Sequence, residues 1–460
     1  MIRLFRVSIP TSVLALFVLE TVLLLGCYIT AAHFFVDEDL EFYLFYDRGW
    51  LPILVVVAAI QLGLYFQDLY DHLRPRSHVY LGQQVSLVLG ATFLLQAVLG
   101  YGRSTLQLNK WTMMYGSLAA LLMLPILRIA YYSVISKALP AEKLLFLGTS
   151  SALRGIALRL AERPELGSMV VGYLSPAAAD FYRTPWLGDM EQLQEVVQRL
   201  RPDRIIVGLV ESRGRLPMQQ LLDLRFSGIP IEEAPNAFES VFGRVSIQDL
   251  RPSQLIFSQE MGPRHWMVLL QRLYSVALGV IGMVITLPIM AVVALVVKFS
   301  SPGPILLRQT RVGLHGRHFV LYKFRSMYAD AEARTGAVWA SKNDPRITPA
   351  GRWLRRLRLD ELPQFFNVVR GHMSMVGPRP ERPEFSAMLE EKIPFYRKRH
   401  WVKPGITGWA QINHKYGDTI EDSLTKLEYD LYYIKNLGPA LDAYIIFHTM
   451  KVMLLWRGAQ

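Results

Sequence analysis

The sequence predicts a membrane protein of mixed α and α/β class: a four-helix transmembrane bundle, a Rossmann-like α/β domain, and a carboxy-terminal domain with a proline-broken re-entrant helix. Three observations predict it. Four apolar runs, near residues 11 to 32, 50 to 67, 79 to 100 and 112 to 135, each approach the length needed to cross a bilayer. Strand-like and helix-like stretches then alternate through the middle of the chain. A longer apolar run, 266–299, carries Pro288 near its centre. The expected boundaries are 1–140 for the bundle, 141–235 for the α/β domain, 236–263 for a connector and 264–460 for the carboxy-terminal domain. Composition agrees, because 52% hydrophobic residues and a mean hydropathy of +0.23 exceed what an ordinary soluble protein shows.

Charge narrows the partners. A net charge of +12 and a pI near 9.6 suit an anionic membrane face or phosphorylated substrates. Nucleic acid is not expected, since no zinc finger, basic zipper or RNA-binding aromatic signature accompanies the charge. The single cysteine, Cys27, rules out an intramolecular disulfide and a cysteine-based zinc site.

The first apolar run is long, lacks a small-residue cleavage site and is followed by further spans, so it reads as a retained helix and not a cleaved signal. Arg3 and Arg6 precede it, whereas the loop after it holds Asp37, Glu38, Asp39, Glu41 and Asp47 against Arg48 alone. Arg74 and Arg76 lie between spans two and three, and Lys137 and Lys143 follow span four. Both ends of the bundle are therefore expected on the cytoplasmic side of the membrane, with the carboxy-terminal domain on that face. Glu20, Gln61, Gln83, Gln84 and Gln96 fall within spans. With no basic residue evident at a matching depth, they read as interhelical hydrogen-bonding groups and not as an ion path.

From Lys143 the run KLLFLGTSSALRGIALRLAERP reads as a strand, a Gly-Ser turn and a helix. Further strands are expected at Met169 to Leu174, Arg204 to Val210 and Gly228 to Glu232, with helices near Met190 to Leu200 and Leu216 to Arg225. The turn at Gly148 lacks the full G-x-G-x-x-G spacing, which argues for a structural or regulatory domain over dinucleotide chemistry.

Basic residues gather at both ends of the 266–299 run: Arg264, His265 and Arg272 at its start, and Lys298, Arg308, Arg311, Arg317, Lys323 and Arg325 at and beyond its end. A crossing would export one cluster, so a helix that enters one leaflet and returns at Pro288 is expected. From Lys298 through Glu361 there are thirteen Lys or Arg against five Asp or Glu.

That region centres on Gly351 to Asn367, GRWLRRLRLDELPQFFN. Arg352, Arg355, Arg356 and Arg358 run into Asp360 and Glu361, and Pro363 places a helix start near Asp360. Two carboxylates at a helix amino terminus beside four arginines suit phosphate handling. In isolation, an ordinary capped helix with a solvated basic face is the favoured explanation of the stretch. Downstream, two prolines in MVGPRP restrain Arg379, whose guanidinium suits a phosphate oxygen. In VKPGITGWAQINHKYG, Pro404, Gly405 and Gly408 fix a loop bearing Trp409, Gln411, Asn413 and Lys415.

The ordered motifs LPIM, SSPGP, QTRVG, YKFRSM, RLRLDELPQFFNVVRGHMSMVGPRP, KPGITGWAQIN and LEYDLYYIKN resemble the bacterial sugar transferase family, the monotopic phosphoglycosyl transferases. The resemblance covers roughly residues 264 to 460, and the upstream parts resemble its large members. It implies transfer of a sugar-1-phosphate, glucose or galactose in the long members, from a UDP-sugar to undecaprenyl phosphate. UMP is released and Mg²⁺ is required, as the first membrane step of exopolysaccharide, capsule or O-antigen synthesis. It assigns Asp360 as the nucleophile that forms a covalent phosphosugar intermediate and Glu361 as the second acid and metal ligand. Lys323, Arg355, Arg379 and Lys415 fall at basic positions that contact phosphates, Lys415 where small members carry arginine. Small members have Ser-Pro at the helix break, whereas this chain has Leu287-Pro288, leaving Thr286 as the nearest hydroxyl. Multi-span bundles with an appended domain also make a homodimer an expectation.

Two rivals stand beside that reading. A membrane-anchored, NAD-dependent nucleotide-sugar dehydratase or epimerase needs a complete glycine fingerprint and a Tyr-x-x-x-Lys pair, and the middle domain has neither. A non-enzymatic scaffold of a polysaccharide export complex would not need Asp360 beside Glu361.

Overall fold

A computed structural model describes residues 2–4, 7–9, 11–36, 39–70, 77–138, 141–181, 183–208, 216–249, 262, 265–329, 331, 344–414 and 419–454. The four amino-terminal runs form α1 (Thr11–Phe35), α2 (Trp50–Phe66), α3 (His78–Gly102) and α4 (Lys110–Ala138). At 1.5 Å per residue, the 25 residues of α1 and of α3 span about 37 Å each, enough for a hydrocarbon core of about 30 Å. Helix α2 has 17 residues and sits at the short end of that range. The outward faces stay apolar, with Val22, Leu94 and Val98 exposed, as a hydrocarbon solvent demands. Inside, Leu24, Tyr28, Val56, Ile60, Val85 and Leu124 make the seam. A side chain at Gly63 would meet Val88, so the backbones approach closely there.

Gln61 Nε2 donates to Thr21 Oγ1 at 2.5 Å, the interhelical role expected of it, whereas Gln96 Oε1 accepts from Leu108 N at 3.1 Å and so holds the loop between α3 and α4. Glu20 corrects the sequence reading, which finds no basic partner for it. Its carboxylate is fully buried against Arg128 of α4, with Nε 2.6 Å from Oε1, and it also accepts from Tyr70 Oη at 2.5 Å. Arg128 in turn donates to Leu69 O at 2.7 Å. The pair ties α1, α4 and the turn after α2 together. Arg128→Leu is expected to lower the melting temperature of the detergent-solubilised chain sharply, because a lone buried charge costs about 3–5 kcal/mol. The double variant Glu20→Leu/Arg128→Leu should recover most of that loss. Equal melting temperatures for the single and double variants would show that the pair does not act as a unit.

The middle segment folds into β1 (Glu142–Leu147), α5 (Ser151–Glu162), β2 (Ser168–Leu174), α6 (Leu193–Leu200), β3 (Arg204–Val207), α7 (Met218–Phe226), β4 (Ile231–Glu233) and α8 (Ala234–Phe242). The strands are parallel in the order β2-β1-β3-β4. Strand alternation sends Leu144 and Phe146 to the face covered by α5 and α8, and Leu145 and Leu147 to the face covered by α6 and α7. The first part of the expected connector is therefore a helix, with Phe238 in this core. At the turn after β1, where the strand order reverses, Asp249 Oδ2 accepts from Ser151 Oγ at 2.8 Å and Ala152 N at 2.7 Å. A carboxylate of the chain itself holds the helix end a dinucleotide phosphate would use, which removes support from the NAD-dependent alternative.

Helix α9 (His265–Ser300) runs for 36 residues through Pro288 without interruption, where the sequence predicts a break. The fixed φ of proline is compatible with a helix; the ring removes the donor that would serve Val284 O and crowds that same carbonyl, which strains the helix without having to end it. Thr286 Oγ1 bonds Gly282 O at 2.6 Å, so it does not serve that carbonyl. Buried residues lie on two arms of α9, Gln271, Ser275 and Gly279 on one, Val293 and Val297 on the other, while Val284, Ile285 and Leu287 between them are exposed. Beyond α9 come the antiparallel hairpin β5 (Leu306–Val312) and β6 (His318–Phe324), then α10 (Pro349–Arg356), α11 (Gln364–Val369), β7 (Ser374–Val376), α12 (Pro383–Lys392), β8 (Gly405–Thr407), α13 (Trp409–Asn413), α14 (Ile420–Asn436) and α15 (Pro439–Leu454).

Contacts join the three parts. Trp409 Nε1 donates to Gly243 O at 2.7 Å, and Lys435 Nζ lies 2.9 Å from Glu239. On the membrane side, Lys451 of α15 pairs with Asp68 at 2.6 Å, and Tyr65 of α2 bonds His448 at 2.9 Å.

Candidate active site

Arg358 sets the local geometry. Its φ of 54° is left-handed, so α10 ends and the chain turns abruptly. Leu359–Glu361 then form a single 3₁₀ turn, and α11 starts at Gln364 with Pro363 at its cap. The helix start expected near Asp360 is thus displaced, and the two carboxylates sit on the turn before α11.

The two acids differ in surroundings. Glu361 Oε1 accepts from Lys323 Nζ at 3.1 Å and from Arg379 Nη2 at 2.8 Å, and Oε2 lies 3.7 Å from Arg358. Burial alone would raise its carboxyl, but Arg379, Lys323 and Arg358 together hold it well below the usual range. Asp360 is 7% exposed and makes no hydrogen bond or ion pair among the described residues. Burial first, and the Glu361 charge second, push its carboxyl upward, against the pull of Lys323, Arg355 and Arg379. One acid is clamped and the other keeps its lone pairs.

Lys323 reaches the site from β6, which Asn367 of α11 fixes. Asn367 is fully buried, donates to Val320 O at 2.7 Å and accepts from Tyr322 N at 3.1 Å. Arg325, just past β6, donates to Val297 O at 3.2 Å and Ser301 O at 2.6 Å. It caps the end of α9 and ties the hairpin to it. Arg379 is held by interlocked loops. Strands β7 and β8 pair in parallel, and a side chain on Gly377 would lie 2.3 Å from Lys403 O, so MVGPRP and KPGITGW form one unit.

Arg399 completes that support. It donates to Arg379 O at 3.0 Å and pairs with buried Asp430 at 2.9 Å. Burial raises the Asp430 carboxyl to about 6 against the pull of Arg399. Arg399→Met should cost about 3–5 kcal/mol by stranding Asp430, and the loss should shrink when Asp430→Leu is added. Denaturant unfolding of both variants checks this, and equal losses would show that Arg399 does not compensate the Asp430 charge.

Of the sequence candidates, Asp360, Glu361, Lys323 and Arg379 converge. Arg355 donates to Ser326 Oγ at 3.1 Å and acts on Asp360 through its charge. Arg352 and Arg356 are exposed, and Arg356 lies over Trp353. Lys415 lies outside the described residues. Sequence reading missed Asn367, Arg399 and the Arg358 contact. A lone asparagine in the apolar run QFFNVV was a usable signal, since a buried amide must find partners. Beside Glu361 a cleft opens, walled by Arg358, Leu362, Phe365, Ile406, Val452 and Met453.

Residues 266–456 match the family model described as bacterial sugar transferase. The exopolysaccharide production protein PSS of Rhizobium leguminosarum bv. phaseoli is 40% identical over 196 residues, 42% of this chain and 98% of that protein. The chain belongs to the bacterial sugar transferase family. It is also 41% identical over 232 residues to the UDP-N-acetylgalactosamine-undecaprenyl-phosphate N-acetylgalactosaminephosphotransferase of Aeromonas hydrophila, covering 50% of this chain and 54% of the relative. Similarity to the undecaprenyl-phosphate glucose phosphotransferase of Komagataeibacter xylinus is 34% over 328 residues, 69% and 60% of the two chains. These two matches span only part of those relatives. The Asp360 cluster lies within the matched region.

Proposed function

We propose that the protein transfers a sugar-1-phosphate from a UDP-sugar to undecaprenyl phosphate. An Asp360 oxygen attacks the phosphorus that bears the sugar, the bond to the UMP phosphate breaks, and UMP leaves. A phosphate oxygen of the lipid then attacks the same phosphorus, freeing Asp360 and forming the lipid diphosphate sugar. The observation that carries this reading is the contrast within the dyad: Asp360 is free to attack, while Glu361 is clamped by three cations. Lys323, Arg379 and Arg355 would offset the charge of the diphosphate. The apolar wall from Leu362 to Met453 suits an isoprenoid chain. The relatives above include both a glucose and an N-acetylgalactosamine phosphotransferase, so the sugar is one of a hexose or N-acetylhexosamine class.

Magnesium belongs to the same proposal. Glu361 Oε1 already accepts two hydrogen bonds, while Oε2 retains free lone pairs. The surrounding cations would repel a bare ion, so the residues fit a metal that arrives with the diphosphate oxygens. Bound there, it would neutralise phosphate charge.

Membrane placement is proposed with the active site on the cytoplasmic face and α9 entering and leaving the same leaflet with a bend at Pro288. Supporting this, both arms of α9 pack on one domain. Ser275 Oγ accepts from Met375 N at 3.3 Å on the first arm, and Val293 and Val297 join Phe324 and Leu354 on the second. Single cysteines at positions 264 and 298 in a Cys27→Ser background should label from the same side, and opposite-side labelling would sink the re-entrant arrangement. The reaction itself is tested by assaying UMP release from UDP-glucose, UDP-galactose and UDP-N-acetylgalactosamine with undecaprenyl phosphate. At least one donor should release UMP, and release from none by folded protein overturns the proposal.

A further inference from the structure

A second cleft lies at the base of α9, walled by His265, Leu269 and Arg272 of its first turns, by Leu314 at the tip of the β5–β6 hairpin, and by Trp401 and Lys403. It shares no lining residue with the cleft at Glu361, and no acidic side chain lines it. Among the described residues, neither Arg272 nor half-buried Lys403 has a carboxylate partner. Burial, and then the Arg272 charge, push the Lys403 ammonium below its ordinary range. Two neighbouring cations without a counterion are an arrangement that an anion would relieve.

The rim indicates the source of that anion. Trp266 and Trp401 are exposed, the Lys398 ammonium lies 4.3 Å from the Trp401 ring centre, and Leu269 and Leu273 present bare apolar surface beside them. Exposed tryptophans with basic residues at the end of an apolar helix mark headgroup depth. The placement holds whether α9 spans or returns, since its first turn lies where the helix leaves the lipid. The backbone N–H groups of that turn add donors of the right sign.

We propose that this cleft binds the phosphate of an anionic phospholipid between Arg272 and Lys403, with the acyl chains along Leu269 and Leu273. The full chain in detergent, examined by native mass spectrometry against phosphatidylglycerol, phosphatidylcholine and inorganic phosphate, tests this. Phosphatidylglycerol should be retained, and the other two should not at the same concentration. Arg272→Gln/Lys403→Gln should weaken phosphatidylglycerol on the order of 30-fold, from the usual worth of two surface cations, while Arg272→Lys/Lys403→Arg retains it. Should the double glutamine variant fail to fold, Arg272→Gln alone, at an exposed side chain, should weaken it roughly 5-fold. Unchanged retention in the glutamine variants overturns the assignment. Displacement of the lipid by equimolar inorganic phosphate would also overturn it, by making the cleft a soluble-anion site.

Discussion

Asp360→Asn should reduce UMP release at least about 10³-fold, the scale of loss when a nucleophile is removed and positioning alone remains. The fold should not suffer. The Asp360 carboxyl is raised in the folded chain, so its ionised form costs stability at neutral pH, and that cost grows as pH climbs through the folded value. A neutral asparagine of the same shape removes the cost, so the variant should melt at or above the wild-type temperature. Intact-mass measurement separates the roles. Wild-type protein given a UDP-sugar without lipid acceptor should gain a sugar phosphate adduct, and the variant should not. An adduct of unchanged yield in the variant would place the covalent bond elsewhere.

Much of this arrangement was legible in the sequence, because some signals are local. Apolar runs of bilayer length, parallel strands alternating with helices, and an Asp360–Glu361 pair inside a basic region need no knowledge of the fold. What could not be read depends on which faces meet. Glu20 and Arg128 lie in different helices, and no spacing rule reveals that α1 and α4 turn those residues toward each other. Nothing in YRKRHW distinguishes Arg399 from its basic neighbours, yet it is buried on Asp430 and the Arg379 carbonyl. Pro363 was a sound signal for a helix start, but the left-handed turn at Arg358 intervenes and gives Asp360 and Glu361 a turn of their own. Adjacent residues of similar chemistry thereby face different surroundings, and only the three-dimensional contacts distinguish the free acid from the clamped one.

Glu361→Gln should lower kcat/KM about 10²-fold and also move its pH dependence, which a purely structural role would not do. Glu361 remains ionised well below neutrality because Arg379, Lys323 and Arg358 surround it, so its charge opposes ionisation of Asp360 across the working range. The attacking form of Asp360 is the carboxylate. In the wild type, activity should therefore fall on the acid side at a pH above that of an ordinary aspartate, near 3.9. Glutamine removes the repulsion and leaves Lys323, Arg355 and Arg379 to act on Asp360, which lowers its carboxyl and shifts the acid limb to lower pH. The metal provides an independent readout. Calorimetry should find Mg²⁺ bound by the wild type with UDP but not alone, because the bare cluster is cationic, and the variant should lose the UDP-dependent binding. An acid limb that stays in place or moves upward would separate Glu361 from the ionisation of Asp360, and Mg²⁺ binding retained by the variant would remove Glu361 as the metal ligand.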